Sequence, residues 1–212
     1  MIRYDDIEQG SPEWDKVRTG IPTSSNFGRI ITPTGKPSTQ ADEYINRCIA
    51  DMICGGVSER FEKSVWMERG IDMEQEAADW YELETGRDLI KVGFVTDDLG
   101  RWGASPDRIV VEGGKEIGAV EIKCPAPWTH IENLLRGTIQ SKYTPQVQGQ
   151  MFIGGFAWVD WVSYHPDFGG MIWRAERDEE YIETLARLLA DFDEQKKERL
   201  DRLNGLGITT GE

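Results

Sequence analysis

Residues 105–125 read Ser-Pro-Asp-Arg-Ile-Val-Val-Glu-Gly-Gly-Lys-Glu-Ile-Gly-Ala-Val-Glu-Ile-Lys-Cys-Pro. Apolar, largely β-branched residues flank Gly113-Gly114, the kind of pair a tight hairpin turn demands, so the stretch predicts two antiparallel strands. In a strand, residues two apart share a face. Glu121 and Lys123 therefore project together, and Ile122 packs on the opposite side. An aspartate near one strand with Glu-x-Lys on the next is what a metal-dependent phosphodiesterase needs. Asp107 and Glu121 would offer oxygens to a hard cation, and the Ile122 carbonyl would add a third. Lys123 would orient or deprotonate the attacking water and offset the charge that develops on phosphorus.

The hairpin sets its own condition. A strict two-residue turn at Gly113-Gly114 pairs residues whose numbers sum to 227, which puts Asp107 opposite Val120 and turns Glu121 away. One extra residue, or a bulge, moves the sum to 228 and sets Asp107 opposite Glu121. The site therefore requires an irregularity in the ladder, unless Asp107 lies in a bend outside it. The bare pattern also fits a half-exposed strand carrying an ion pair, since structural charge pairs outnumber catalytic ones. Three neighbours favour chemistry: Ser105-Pro106 before the aspartate, Cys124-Pro125 after the lysine, and Glu74 on an earlier helix.

Helices surround this hairpin. Ser11 followed by Pro12 is a helix N-cap with proline at the first position, with Gly20 as the stop. A second short helix starts at Ser24 or Ser25. Periodic apolar residues predict helices over Ser38–Ile53 and Glu68–Glu84. Gly93–Thr96, Trp102–Val111 and Glu116–Lys123 read as strands. A helix follows over Thr129–Arg136 with Ile131, Leu134 and Leu135 inward, and another opens at Thr144-Pro145 and closes at Gly154-Gly155. Ala157–Tyr164 is too apolar for an edge strand and is placed centrally beside Met171–Ala175; Trp158, Trp161 and Trp173 lie at strand spacing and read as core. Glu179–Leu203 is a long final helix, with residues 203–212 a loose tail. The whole predicts a single α/β or α+β domain over residues 1–212, a mixed central sheet flanked by helices.

The 212 residues carry 24 basic and 38 acidic side chains, a net charge of −14. That balance argues against a protein that coats DNA with a basic face. It leaves room for an enzyme that gathers cations in one groove or recruits them as metals. The three cysteines, Cys48, Cys54 and Cys124, form no CxxC pair, and with His130 and His165 as the two histidines a structural zinc site is not expected. No apolar run suits a membrane span and Met1–Gly10 does not suit a secretory signal, so the chain reads as cytosolic.

Read together, these motifs resemble the bacteriophage lambda exonuclease family, phage recombination 5′→3′ exonucleases with the PD-(D/E)xK restriction-endonuclease-like fold. The likeness runs from Glu8 to about Leu200. It takes in Glu8-Gln9-Gly10…Trp14…Arg18…Gly20, Thr23-Ser24, Gly70…Glu74, Ser105-Pro106-Asp107 and Glu121-Ile122-Lys123-Cys124-Pro125. Tyr143…Gln146-Val147-Gln148, Ser163-Tyr164…Pro166 and Glu176-Arg177-Asp178-Glu179…Tyr181 complete it.

The resemblance implies that Asp107, Glu121 and the Ile122 carbonyl are metal ligands and that Lys123 is the catalytic lysine. Glu74 belongs to the same acidic centre. By the same likeness Arg18, Ser24, Ser105 and Gln146 hold the terminal 5′-phosphate, and Met67 is the apolar wedge at the duplex end. It further implies two Mg²⁺ ions (with Mn²⁺ as a substitute), a homotrimeric ring around linear double-stranded DNA, and a phage single-strand annealing protein as partner, all in a bacterial host. Two positions depart from the family pattern: Arg108 stands where glycine is usual, and Pro22 replaces a threonine. The rival expectations are an endonuclease on the same core and a catalytically silent binding module.

Overall fold

The computed structural model describes residues 1–56 and 65–209; the side chains of residues 65–68 also lie outside that description. Met67, the wedge candidate, is among them.

Gly113 and Gly114 both adopt positive φ, 56° and 76°, as a two-residue hairpin turn requires. They join β5 (Arg108–Glu112) to β6 (Lys115–Lys123). Next to the turn the pairing is Glu112 with Lys115 and Val111 with Glu116, the two-residue register. The register then shifts, and Val110 pairs with Gly118, Ile109 with Ala119 and Arg108 with Val120. Ile117 is the extra residue, a bulge that rotates the rest of β6 by one position. Gly118 follows because a Cβ there would lie 2.6 Å from the Trp158 ring. Asp107 sits in a bend just before the ladder, facing Glu121 in the shifted register.

β6 is the centre of a five-stranded sheet of order β2-β5-β6-β7-β8, where β2 is Asp88–Ile90, β7 Trp158–His165 and β8 Gly169–Glu176. All neighbours are antiparallel except β6 and β7, which run parallel. A parallel pair needs a crossover, and residues 124–157 supply it with α5 (Pro127–Arg136) and α6 (Thr144–Gly154). A small second sheet joins β1 (Ile2–Tyr4), β3 (Phe94–Thr96) and β4 (Gly103–Ala104).

Alternation along β6 sends its side chains into two cores. Val120 and Ile122 pack with Val110, Met73, Ala77 and Tyr81, the last three from around α4 (Glu74–Thr85). Ala119 packs on the other face with Ile109, Val159, Trp161 and Met151, a core shared with α2 (Ala41–Cys54) and α7 (Glu179–Gly205). Every residue of β7 is buried. Among them Asp160 accepts hydrogen bonds from Tyr81 at 2.7 Å and from Arg174 Nε and Nη2 at 2.8 Å each.

Four expectations change. Trp102–Val111 is not one strand: Pro106, which lacks an N–H, divides it into β4 and β5 of different sheets. The helix expected over Glu68–Glu84 breaks at Met73 into α3 (Val65–Asp72) and α4, which makes Glu74 the first residue of a new helix. α5 presents the reverse face. His130 and Asn133 are buried, while Ile131 is 42% and Leu135 84% exposed, because His130 Nδ1 lies 2.8 Å from Ser163 Oγ and Asn133 Nδ2 donates to the same oxygen at 3.1 Å. The last helix runs to Gly205, beyond Leu203 where the tail was expected. β1 and β2, three residues each, carry too few side chains to show a period and were not expected.

Candidate active site

The bulge and the split at Pro106 converge on one point. Asp107 Oδ2 accepts the backbone N–H of Ile122 at 2.6 Å, which pins the aspartate against β6 beside Glu121. Burial, then the Glu121 charge, pushes the Asp107 carboxyl well above its ordinary value, with Lys123 pulling the other way. Glu121 is 2% exposed and held on all sides. Gln146 Nε2 donates to its Oε1 at 2.6 Å and Gln150 Nε2 to its Oε2 at 2.5 Å, both from α6. Lys123 Nζ bonds Oε1 as well. Burial disfavours the lysine's charge, but Glu121 and Asp107 outweigh it and hold the ammonium above its usual value.

Glu74 stands at the start of α4, on the opposite face of the hairpin. Its Oε1 accepts Arg108 Nη1 at 2.6 Å; the same nitrogen donates to the Asp107 carbonyl at 2.5 Å, and Nη2 to Gln75 Oε1 at 3.1 Å. Glu74 lines two clefts. One, of about 440 Å³, also holds Asp107, Arg108, Asp5, Asp6 and Glu8. The other, of about 540 Å³, holds Ile122, Lys123, Trp128 and Tyr143.

Among the described residues no three His, Cys, Asp or Glu side chains form a closed metal cage. The donor set is two facing carboxylates and a nearby main-chain carbonyl. That suits Mg²⁺, which keeps several waters and binds through one or two carboxylates plus substrate phosphate. The mutual repulsion of half-buried Asp107 and buried Glu121 is the kind of strain a cation relieves.

The phosphate candidates divide. Arg18 stacks on Trp14, its guanidinium carbon 3.4 Å from the ring centroid. Trp14 Nε1 donates to Ser105 Oγ at 3.2 Å and to the Gly93 carbonyl at 2.9 Å, so Arg18 and Ser105 are linked through it. Arg18 Nη2 donates to Thr23 Oγ1 at 3.4 Å, while its buried Nε has no hydrogen-bond partner among the described residues. Burial lowers this guanidinium to about 10, with Tyr44 and Asp15 opposing. A half-buried cation with an unmet donor beside hydroxyls is suited to an anion. Ser24 is 2% exposed and packs towards Gly149, where an added Cβ would come 3.2 Å from its own; Gln146 is engaged by Glu121.

Residue patterns had not singled out Trp14, Thr23 or Gln150 for this site. The Gln146/Gln150 spacing of one helical turn was the available signal, and both amides face the same carboxylate. Cys124 is buried, and burial pushes its thiol up to about 12, as for a small hydrophobe.

A family model described as the YqaJ-like viral recombinase domain matches residues 13–157. The chain belongs to that family. The YqaJ-like match spans α1 (Pro12–Val17) almost entirely, the hairpin and α6, and so contains Arg18, Asp107, Glu121, Lys123 and both glutamines. It is the family to which the lambda exonuclease likeness points. Among solved structures, the chain is similar to an alkaline exonuclease (LHK-Exo) from Laribacter hongkongensis, with 29% identity and a TM-score of 0.81, covering 93% of this chain and 98% of that one. The same exonuclease in complex with dAMP matches equally well. A phage-related exonuclease from Haemophilus somnus 129PT shares the fold at 15% identity and a TM-score of 0.65, covering 86% of this chain and 96% of that one. No curated protein matches. The YqaJ-like chain therefore has the PD-(D/E)xK type of fold, a mixed sheet flanked by helices. Among its described residues no helix is long and apolar enough to cross a membrane.

Proposed function

We propose that this protein is a Mg²⁺-dependent exonuclease that enters linear double-stranded DNA at the 5′ end, releases mononucleotides and leaves a 3′ single strand for recombination by annealing. One observation carries the reading: the Ile117 bulge that sets Asp107 towards Glu121, with Lys123 bonded to the same glutamate. The recombinase family and the exonuclease relatives support it, as does the nucleoside monophosphate held by one of them.

Asp107, Glu121 and the Ile122 carbonyl would hold the ion, Glu74 would add negative charge for a second, and Mn²⁺ would substitute. A divalent cation there supplies Lewis-acid polarisation of the scissile phosphate and makes water more acidic. Lys123 holds its proton beside the phosphate and offsets the added negative charge as the nucleophile attacks. Gln146 and Gln150 fix the Glu121 carboxylate, so no reorganisation is needed at the moment of reaction. Arg18, steadied by Trp14, receives the terminal 5′-phosphate with Ser105 and the Thr23–Ser25 hydroxyls near it. A homotrimeric ring would let cations face DNA while the acidic excess faces outward. A phage single-strand annealing protein in the bacterial cytoplasm would take the exposed strand.

The test is digestion of three DNAs with Mg²⁺ or EDTA: linear with 5′-phosphate, linear with 5′-hydroxyl, and covalently closed circular. Mononucleotide release from linear duplex only, fastest with 5′-phosphate, supports the reading. Cutting of circles favours an endonuclease; no cutting and no bound metal favours a silent module.

Two variants sharpen it. Arg18→Ala slows digestion of 5′-phosphorylated ends about 10- to 100-fold, the worth of hydrogen bonds to a charged group, and leaves 5′-hydroxyl ends unchanged. Equal losses on both ends would remove Arg18 from the phosphate site. Gln150→Leu keeps the shape of a fully buried side chain but strips Glu121 Oε2 of its donor. It lowers kcat about tenfold with KM within twofold; a matching rise in KM would mark Gln150 as packing alone.

A further inference from the structure

We propose that Arg108 is a built-in cation of the metal centre that competes with a second divalent ion for the Glu74 carboxylate. It is a positioning residue, and it makes the two ions bind in a fixed order. The proposal rests on the Mg²⁺ reading above and adds to it what governs the second position.

Arg108 opens β5, directly after Asp107, and is 4% exposed. Its Nη1 touches both halves of the centre, donating to Glu74 Oε1 at 2.6 Å and to the Asp107 carbonyl at 2.5 Å. Nη2 donates to Gln75 Oε1 at 3.1 Å, so the fork spans the first two residues of α4. Glu74 is the more open partner, its side chain 32% exposed against 5% for Arg108. An incoming ion therefore reaches the carboxylate from the cleft, while the guanidinium holds it from the buried side.

Folding does not account for this pair. Side chains two apart along β5 share a face, so Arg108 stands in line with Val110, which packs with Met73, Ala77 and Tyr81. An apolar side chain would suit that position, and replacing a buried ion pair by apolar residues often costs nothing. Charge balance supplies the reason. Against the three carboxylates of Glu74, Asp107 and Glu121 stand the bonded cations Arg108 and Lys123, which leaves one negative charge. One divalent ion turns that into one positive charge, which a phosphodiester cancels. Without Arg108 the deficit is two, one ion only neutralises it, and the phosphate calls for a second. Arg108 thus does part of a second ion's electrostatic work, and an ion that takes Glu74 must first displace it. Asp5, Asp6, Glu8 and Lys91 line the same cleft but are exposed, where water screens them.

The experiment titrates the full chain with Mn²⁺, without DNA, and reads the free ion by electron paramagnetic resonance. The parent binds one ion tightly and a second at least about tenfold more weakly. Arg108→Met tightens the second ion about 10- to 100-fold, the worth of a hydrogen bond to a charged group, and moves the first less than about threefold. Glu74→Gln keeps an oxygen for Arg108, and with it the fold; it loses the second ion and leaves the first. Lys91→Met removes a cation from the rim of the same cleft and changes neither. The melting temperature of each variant checks its fold. Equal tightening of both ions in Arg108→Met, or the same effect from Lys91→Met, overturns the proposal, because Arg108 then acts only as diffuse charge. A second ion retained by Glu74→Gln at the parent's affinity overturns it as well. If the parent binds no ion at all, the Mg²⁺ reading of the centre falls too; if it binds one and neither Arg108→Met nor Glu74→Gln alters ion binding, only the role of Arg108 falls.

Discussion

Lys123→Ala lowers turnover on 5′-phosphorylated duplex about 10²- to 10³-fold, the usual cost of removing one preorganised donor from a developing oxyanion. The lysine is well placed for so large a share. Its Nζ bonds Glu121 and its side chain is 30% exposed, open enough to meet substrate. The pull of Glu121 and Asp107 raises its ammonium above the usual value, so it carries its charge at neutral pH. Removing it leaves Glu121 still held by Gln146 and Gln150, so the fold survives while the charge balance does not. Lys123→Arg rescues poorly, because a planar fork does not replace a compact ammonium at this depth. Single-turnover release of labelled nucleotide, with circular dichroism as the folding control, measures it. A loss under fivefold would take the catalytic role away from Lys123.

Trp161→Ala destabilises the protein by about 3–5 kcal/mol, which for a chain of this length is a fall in Tm of roughly 6–20 °C. Trp161 is 1% exposed and packs between Tyr143 and Trp173, with ring centroids 5.3 and 5.5 Å away. In the parallel register it neighbours Glu121. The cavity therefore opens behind the carboxylate, and activity falls below the melting temperature too. Trp161→Phe costs less, because the indole N–H has no hydrogen-bond partner to lose among the described residues. Calorimetry of both variants decides; equal costs would mean the cavity is not the cause.

The placement of the candidate site residues was more legible in the sequence than the surfaces. The requirement that Asp107 face Glu121 called for an irregularity in the ladder or a bend outside it, and the structure has both, a bulge at Ile117 and a bend at Asp107. β7 was placed inside the sheet by its apolar run alone. α5 misled because apolar periodicity assumes that apolar means inward, and here hydrogen bonds to Ser163 set the orientation instead. The break at Met73 and the division at Pro106 depend on how distant segments pack, which a local period does not carry. Glu121's second glutamine was visible only as a helical spacing, since no one-dimensional pattern says which face of α6 meets β6.

Asp160 bears on how the protein comes into being. Until β8 and the crossover close over it, β7 is an eight-residue segment rich in tryptophan, valine and tyrosine, the composition that seeds intermolecular cross-β stacking. A carboxylate at its third position makes copies of the segment repel when they align, as a charge within an aggregation-prone window does. In the finished molecule Tyr81 and Arg174 satisfy that charge, one from before the strand and one from after it. The aspartate that costs desolvation in the native state is thus also a charge inside a segment whose other residues favour cross-β stacking whenever the strand is exposed.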